Sequence, residues 1–141
     1  MKETRKTIQK ELVHEAVMVS CDHPTAEQIY DSIILKHPTI SKATVYRNLN
    51  LLVEDGIILR VRVLGGPDHF DKTIRPHYHI QCRVCKRVDD IEVSPDLGIQ
   101  TKIINAKGFE VDSYEIVFTG ICPDCLEKNA AKSSEGAQVW N

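Results

Sequence analysis

Four cysteines of this chain fall into two Cys-x-x-Cys pairs, Cys82 with Cys85 and Cys122 with Cys125. A two-residue spacer lets both sulfurs of a pair point at one ion, and two such pairs complete a tetrahedral set of four thiolates. Four thiolates leave no open coordination position, so this chemistry is structural. The pattern predicts a zinc (Zn2+) site that stabilises a small domain. A redox pair or free thiols is the alternative, and the presence of two matched pairs favours zinc.

A second set of candidate ligands surrounds the segment that contains His77 and His79. Residues two apart on a strand face the same side, so these two imidazoles can converge on one ion. Further ligands would have to come from elsewhere, and the candidates are Asp71, Asp90 and His23. A mixed set of imidazole and carboxylate ligands suits Fe2+, Mn2+ or Zn2+. The alternative is a pair of surface histidines that bind no metal.

The first part of the chain has three helical patterns followed by a hairpin pattern. Apolar residues recur at helical spacing after Ile8, after Thr25 and after Ser41. The T-x-x-Q sequence that begins at Thr25 is typical of a capping box, and Gly56 is placed to end the third helix. An alternating strand, a Gly-Gly-Pro-Asp turn and a short return strand follow. Three helices and a hairpin in this order predict a winged helix-turn-helix, with Ser41–Asp55 as the recognition helix.

The third helix has a polar face that suits DNA. Tyr46, Arg47 and Asn50 lie opposite the apolar stripe, and such side chains can contact phosphates and base edges. Considered alone, the helix fits a solvated surface better than a DNA-binding one, because a few polar residues opposite an apolar stripe are normal for any helix. The hairpin after it, with Arg60 and Arg62 at exposed positions of its first strand, favours DNA.

The second part of the chain shows strand patterns at "YHIQC", "RVDDIEV" and "FEVDSYEIVFTGIC". A helix introduced by Ser94 and Pro95 is expected between the second and third strands, and a short helix after "CPDC". We therefore predict an α+β protein: a winged helix-turn-helix domain at residues 1–72 and a small α/β dimerisation domain with a three-stranded sheet at residues 73–141. The polar tail from about residue 130 is expected to be loosely ordered. An exposed sheet edge predicts pairing with a second copy.

Bulk composition excludes some classes of function. The 141 residues have a net charge of −2, so any contact with nucleic acid must depend on the local placement of basic side chains. No apolar stretch approaches the roughly 18 residues of a membrane span, and the N-terminus lacks the apolar core of a signal peptide. We therefore expect a cytoplasmic protein without membrane contact. Disulfides are rare in that compartment, which again favours metal binding by the cysteines.

The motifs "HPTAEQIY", "SKATVYRNL", "HFD" before "HYHIQCRVC", and the closing "CPDC" occur in one order along the chain. Through them residues 5 to about 128 resemble the ferric uptake regulator family, and most closely its peroxide-sensing branch. The resemblance implies a homodimeric, metal-dependent transcriptional repressor that binds double-stranded DNA at a palindromic, AT-rich operator. It implies structural zinc at the four paired cysteines and regulatory Fe2+ or Mn2+ at His23, Asp71, His77, His79 and Asp90. By the same resemblance Arg5, Tyr46 and Arg47 contact DNA.

Asp90 indicates the branch, because iron sensors of the family usually have Glu at this position and peroxide sensors have Asp. The resemblance then implies that iron-catalysed oxidation converts His23 or His77 to 2-oxo-histidine. An iron- or manganese-responsive repressor is the alternative. The sequence departs from the family pattern at His69, where Arg is common, and we expect a structural role for it. Cys21 is expected to be a plain thiol, semi-buried or at the surface.

A zinc hydrolase or deaminase could also use His77 and His79 with a nearby carboxylate. Nucleobase deaminases need His-x-Glu and Pro-Cys-x-x-Cys, whereas here Ile80 and Gln81 follow His79 and Pro123 lies inside its cysteine pair. The chain also has no His-Glu-x-x-His motif. The sequence therefore predicts that the protein is not an enzyme.

Overall fold

The computed structural model describes residues 4–94 and 97–133. Its helices are α1 (Arg5–Val19), α2 (Ala26–Ile34), α3 (Lys42–Glu54) and α4 (Pro123–Ser133). Its strands are β1 (Leu59–Val61), β2 (His69–Asp71), β3 (Tyr78–Cys82), β4 (Val88–Ile91) and β5 (Val117–Gly120). The predicted α+β class is confirmed. No helix in the described part of the chain is long and apolar enough to cross a membrane.

The first three helices begin at residues whose side chains cap free backbone N–H groups. Thr25 accepts a hydrogen bond from the Gln28 N–H at 3.2 Å, and the Gln28 side chain accepts one from the Thr25 N–H at 2.9 Å. This confirms the predicted capping box. Ser41 caps α3 by accepting from the Thr44 N–H at 3.1 Å. After α3 the chain turns at Gly56, whose φ of 71° is a left-handed conformation that a side chain would disfavour.

One hydrophobic core joins α1, α2, α3 and the hairpin of β1 and β2. Its fully buried side chains include Val13, Ile29, Leu49 and Ile58, and Phe70 of β2 packs against the same cluster. Burying each large aliphatic side chain contributes about 1.5–3 kcal/mol, so this cluster fixes how the three helices pack. Strands β1 and β2 pair antiparallel beside the helices. The predicted winged helix is thereby confirmed.

The second half of the chain is built on a three-stranded sheet with the order β4-β3-β5. The central strand, β3, pairs antiparallel with β4 and parallel with β5. The register places Asp90 opposite His79 and Gly120 opposite Cys82. The predicted three-stranded sheet is confirmed, and its central strand positions residues of both candidate metal sites.

Two predicted elements differ from the structure. Between β4 and β5 the described residues form only a 3-10 turn at Gln100–Lys102, whereas a helix from Ser94 and Pro95 was expected. Gly98 with a φ of 55° and a run of β-branched residues after it disfavour an α-helix there, and Pro95 lies outside the described residues. The last strand begins at Val117 rather than Phe109, because pairing with β3 starts only at Val117 and residues 109–116 form no regular element.

The end of the chain agrees only in part with the sequence-based expectation. Helix α4 begins at Pro123, inside the last cysteine pair rather than after it, which is a position that proline favours in helices. The helix continues to Ser133, and the rest of the predicted loose tail lies outside the described residues. The domain boundary between residues 72 and 73 stays a prediction. It falls in the segment that links β2 to β3.

Candidate functional site

The four paired cysteines lie together where β3 ends and α4 begins. Their sulfur atoms are all within 4.8 Å of one another, and the Sγ atoms of Cys85 and Cys122 are 3.8 Å apart. Four sulfurs bound tetrahedrally to zinc at about 2.3 Å would be separated by about 3.8 Å. The arrangement therefore fits a zinc ion that would link Cys82 of β3 to Cys125 of α4.

In the absence of a metal, the pKa values of two of these thiols shift in opposite directions. Burial would raise the pKa of the Cys82 thiol, but backbone N–H groups of Cys122, Cys85 and Val84 lower it to about 6. Conversely, hydrogen bonding with the Cys122 side chain, together with burial, raises the pKa of Cys125 to about 12. Thiolates this close repel one another unless a metal ion lies between them. The five cysteines form no disulfide, and Cys21 is exposed and outside the cluster.

The second candidate site combines side chains from four segments. His23 lies between α1 and α2, Asp71 ends β2, His77 precedes β3, His79 lies in β3, and Asp90 lies in β4. The Nε2 atoms of the three histidines lie 3.2, 2.7 and 2.9 Å from Oδ2 of Asp71, in chain order. The same three atoms lie 2.9, 3.0 and 3.5 Å from Oδ1 of Asp90. All five predicted ligands thus point at one position.

Hydrogen bonding at His77 shows why this position suits a cation. Its Nδ1 is 2.7 Å from the carbonyl oxygen of Arg75, which can only accept, so Nδ1 holds a proton. In the neutral ring Nε2 then presents a lone pair to Oδ2 of Asp71, only 2.7 Å away. A proton or a metal ion must separate two such acceptors. Without a metal, the His77 pKa is raised: burial lowers it, but the Arg75 carbonyl and Asp71 raise it by more.

Asp71 is the common partner of the three histidines. The N–H of Thr73 donates to its Oδ1 at 2.8 Å, which leaves Oδ2 to face the rings. Burial alone would raise the pKa of Asp71, but hydrogen bonds from His23 and His79 lower it well below its usual range. The hydrogen bond with Asp71 likewise raises the pKa of His23. The site therefore keeps a buried negative charge that a divalent ion would neutralise.

The two halves of the protein both contribute to this second site. His23 and Asp71 belong to the winged helix, whereas His79 and Asp90 lie on the three-stranded sheet. The Asp90 side chain is 56% exposed, so the site is open on that side. A cleft of about 1000 Å³ between the hairpin and the sheet is lined in part by His77, His79 and Asp90. Solvent-borne molecules can reach the ligands through this cleft.

The predicted DNA-contacting residues lie at the surface of the winged helix. Arg5 at the start of α1 is exposed, as is Arg47, and Tyr46 is 48% exposed. Asn50 is also exposed, and its Oδ1 accepts a hydrogen bond from the Arg60 guanidinium. Helix α3 is thus tied to the hairpin beside it.

Sequence patterns predict a structural role for His69 but do not identify its contacts. In the structure it is buried, and its Nδ1 lies 2.6 Å from the carbonyl oxygen of His23. The only sequence signal for a role of His69 is its position in a short strand next to Phe70 and Asp71. Spacing alone could not identify a partner 46 residues away.

A winged helix joined to a small sheet, with a cysteine site and a histidine and carboxylate site, defines a class of metal-dependent regulators. The chain belongs to the ferric uptake regulator family, whose model matches residues 1–119. Members of this family are transcriptional regulators and not enzymes, so the hydrolase and deaminase alternative is excluded.

Individual relatives support the same assignment. The chain is 31% identical over 130 residues to the peroxide operon regulator of Bacillus subtilis, an alignment covering 91% of this chain and 90% of that protein. Its fold is similar to that of the Helicobacter pylori ferric uptake regulator Fur, with a TM-score of 0.70, 23% identity, and coverage of 89% of this chain and 83% of the other. The Campylobacter jejuni peroxide stress regulator aligns with a TM-score of 0.66 and 26% identity, over 86% of this chain and 91% of that protein.

Proposed function

We propose that this protein is a cytoplasmic, homodimeric transcriptional repressor that binds DNA when a regulatory metal is bound and releases it on exposure to peroxide. The observation on which the proposal rests is the convergence of His23 and Asp71 with His77, His79 and Asp90 on one position. Because these residues come from both halves of the chain, an ion held by all five would fix how the halves are oriented. The likeness to peroxide regulators supports the peroxide part of the proposal.

Two metals have separate roles in this proposal. Zinc held by Cys82, Cys85, Cys122 and Cys125 would stabilise the second half of the chain. Fe2+ or Mn2+ would be held by the histidine and aspartate set, whose nitrogen and oxygen donors both ions accept. Iron bound there would supply the one-electron reduction of hydrogen peroxide close to its own ligands.

Oxidation of a ligand would then open the site. The target ring is that of His23 or His77, and the net reaction replaces the C–H between the ring nitrogens by C=O while one hydrogen peroxide is reduced to water. The oxidised ring is a weaker donor. With one donor weakened, the remaining residues no longer hold the two halves in one orientation, and the metal is lost.

Orientation of the halves matters for DNA because a dimer presents two recognition helices. These helices enter successive major grooves only if they are about one helical turn, roughly 34 Å, apart. The expected target is an AT-rich palindrome that matches the two-fold axis of the dimer. Apolar side chains that the second half exposes, Ile104, Phe109, Val111 and Phe118, support dimerisation through this half.

An iron- or manganese-responsive repressor is the alternative function. The same five ligands suit it, because neither Fe2+ nor Mn2+ requires peroxide chemistry to orient the halves. The two functions predict the same DNA binding and differ only in the response to peroxide.

Fluorescence anisotropy with AT-rich palindromic duplexes tests the repressor function that both alternatives share. We expect Mn2+ to tighten binding by about 5–150-fold over metal-depleted protein, which is the usual range of coupling between two sites. Mixed-sequence duplex of equal length serves as the control. Equal affinity for all duplexes with and without Mn2+ would exclude a metal-dependent repressor.

Arg47→Ala is expected to weaken DNA binding by removing one contact with a phosphate. The slope of log affinity against log salt concentration should become shallower by about 0.9, because one fewer counterion is released. A salt series with the Mn2+-loaded protein measures this slope, and Lys128→Ala on α4 is the matched control. An unchanged slope in Arg47→Ala would place a different surface on the DNA.

A further inference from the structure

His69 lies in β2, only 7% exposed, and contacts the segment that contains the candidate ligand His23. A carbonyl oxygen only accepts, so Nδ1–H of His69 donates to the His23 carbonyl at 2.6 Å. The next residue of β2, Phe70, donates its N–H to the Pro24 carbonyl at 2.9 Å. Two successive carbonyls of the His23 loop are therefore held by the strand that ends at Asp71.

This attachment matters because the His23 ring lacks the usual second hydrogen bond of a metal-binding histidine. Such rings normally donate their other N–H to an acceptor that fixes the orientation of the ring. His77 has this acceptor in the Arg75 carbonyl, at 2.7 Å. The Nδ1 of His23 is buried and has no hydrogen-bond partner within the described residues. With no hydrogen bond at Nδ1, the position of the His23 ring depends on its backbone and on the contacts of Nε2 with Asp71 and Asp90.

We propose that His69 is a positioning residue for the regulatory metal site, and that its hydrogen bond to the His23 carbonyl sets where the His23 imidazole lies. The proposal rests on the proposed function of that site. The hydrogen bond holds His23 beside Asp71 before any ion binds, so less ordering is needed when the ion is taken up. Loss of an orienting partner typically lowers metal affinity by about 10–100-fold, and the same is expected here.

Mn2+ titration followed by electron paramagnetic resonance tests this role in zinc-loaded full-length protein. His69→Leu removes the donor and should raise the Mn2+ dissociation constant by about 10–100-fold. His69→Asn keeps an amide N–H close to the position of Nδ1 and should restore affinity close to that of the original protein. His69→Gln, whose amide lies one methylene further out, should fall between them. The exposed His37 supplies the control variant His37→Leu, with unchanged Mn2+ affinity.

Several results would overturn the proposal. One is an unchanged Mn2+ affinity in His69→Leu with zinc content intact. Another is an equal loss of Mn2+ affinity in His69→Asn and His69→Leu. If His69→Leu does not fold, the comparison of His69→Asn with His69→Gln decides, and equal affinities would overturn the role. Failure of the proposed function gives a different result. The original protein would then bind Mn2+ no more tightly than the Asp71→Asn variant does, and the role of His69 would fall with the site.

Discussion

Cys125→Ser is expected to yield protein without zinc whose second half does not fold stably. The Cys125 side chain is buried in the four-sulfur cluster that joins α4 to β3. A hydroxyl is a poor zinc ligand, and the three remaining thiolates would hold the ion weakly. In small zinc domains binding of the ion supplies about 10–16 kcal/mol of apparent free energy, which is as large as the roughly 5–15 kcal/mol by which a whole domain is usually stable. The expected outcome is therefore monomeric or aggregated protein.

Two measurements test this effect: zinc content by inductively coupled plasma mass spectrometry, and thermal unfolding by circular dichroism. The original protein should contain one zinc per chain and the variant much less. Cys21→Ser is the matched control, because Cys21 is exposed and lies outside the cluster. A Cys125→Ser protein that is free of zinc yet dimeric and as stable as the original would show that the cysteine site is not structural.

Asp71→Asn is expected to weaken binding of the regulatory metal strongly while leaving the fold in place. Oδ2 of Asp71 lies within 3.2 Å of the Nε2 atoms of all three histidines, and the group is 5% exposed. The amide has almost the same shape as the carboxylate but no charge, so the buried charge that attracts the ion is lost. We expect Mn2+ affinity to fall by about 100-fold or more, because loss of a ligand should cost at least as much as the roughly 10–100-fold loss caused by removing a residue that orients a ligand.

Competition with a fluorescent chelator measures this affinity, and DNA binding in the same samples should lose its dependence on Mn2+. Asp68→Asn is the control, since Asp68 lies in the same hairpin, pairs with Arg60 at 3.6 Å and is outside the ligand set. Zinc content should stay at one per chain in both variants. Mn2+ affinity that is equal in the two variants would remove Asp71 from the site.

Local sequence patterns predicted those features that depend on neighbours along the chain. The two-residue cysteine spacing fixes how each pair faces an ion, and the alternation of a strand places His77 and His79 on one side. Thr25, Gln28 and Gly56 act within a single turn of backbone, which explains why the helix boundaries they mark were predicted correctly.

Features that depend on distant contacts were not accessible in the same way. The position of Asp90 opposite His79 follows from the register of β3 and β4, which local periodicity does not specify. Sequence likeness suggested both residues, but the distances between them required the sheet. The contact of His69 with His23 joins two segments through tertiary packing alone. The predicted helix after Ser94 failed for a local reason, because a glycine and β-branched residues follow it.

Brief exposure of the iron-loaded, DNA-bound protein to hydrogen peroxide, followed by peptide mass spectrometry, tests the central claim most directly. The Mn2+-loaded protein is the control, because Mn2+ does not readily carry out the same one-electron chemistry. We predict one added oxygen on the peptide that contains His23 or His77, with release of DNA, in the iron form alone. The four thiols of the cysteine cluster, held as zinc thiolates, should stay unmodified over the same interval. Iron-loaded protein that stays on DNA with both histidines intact would contradict peroxide sensing.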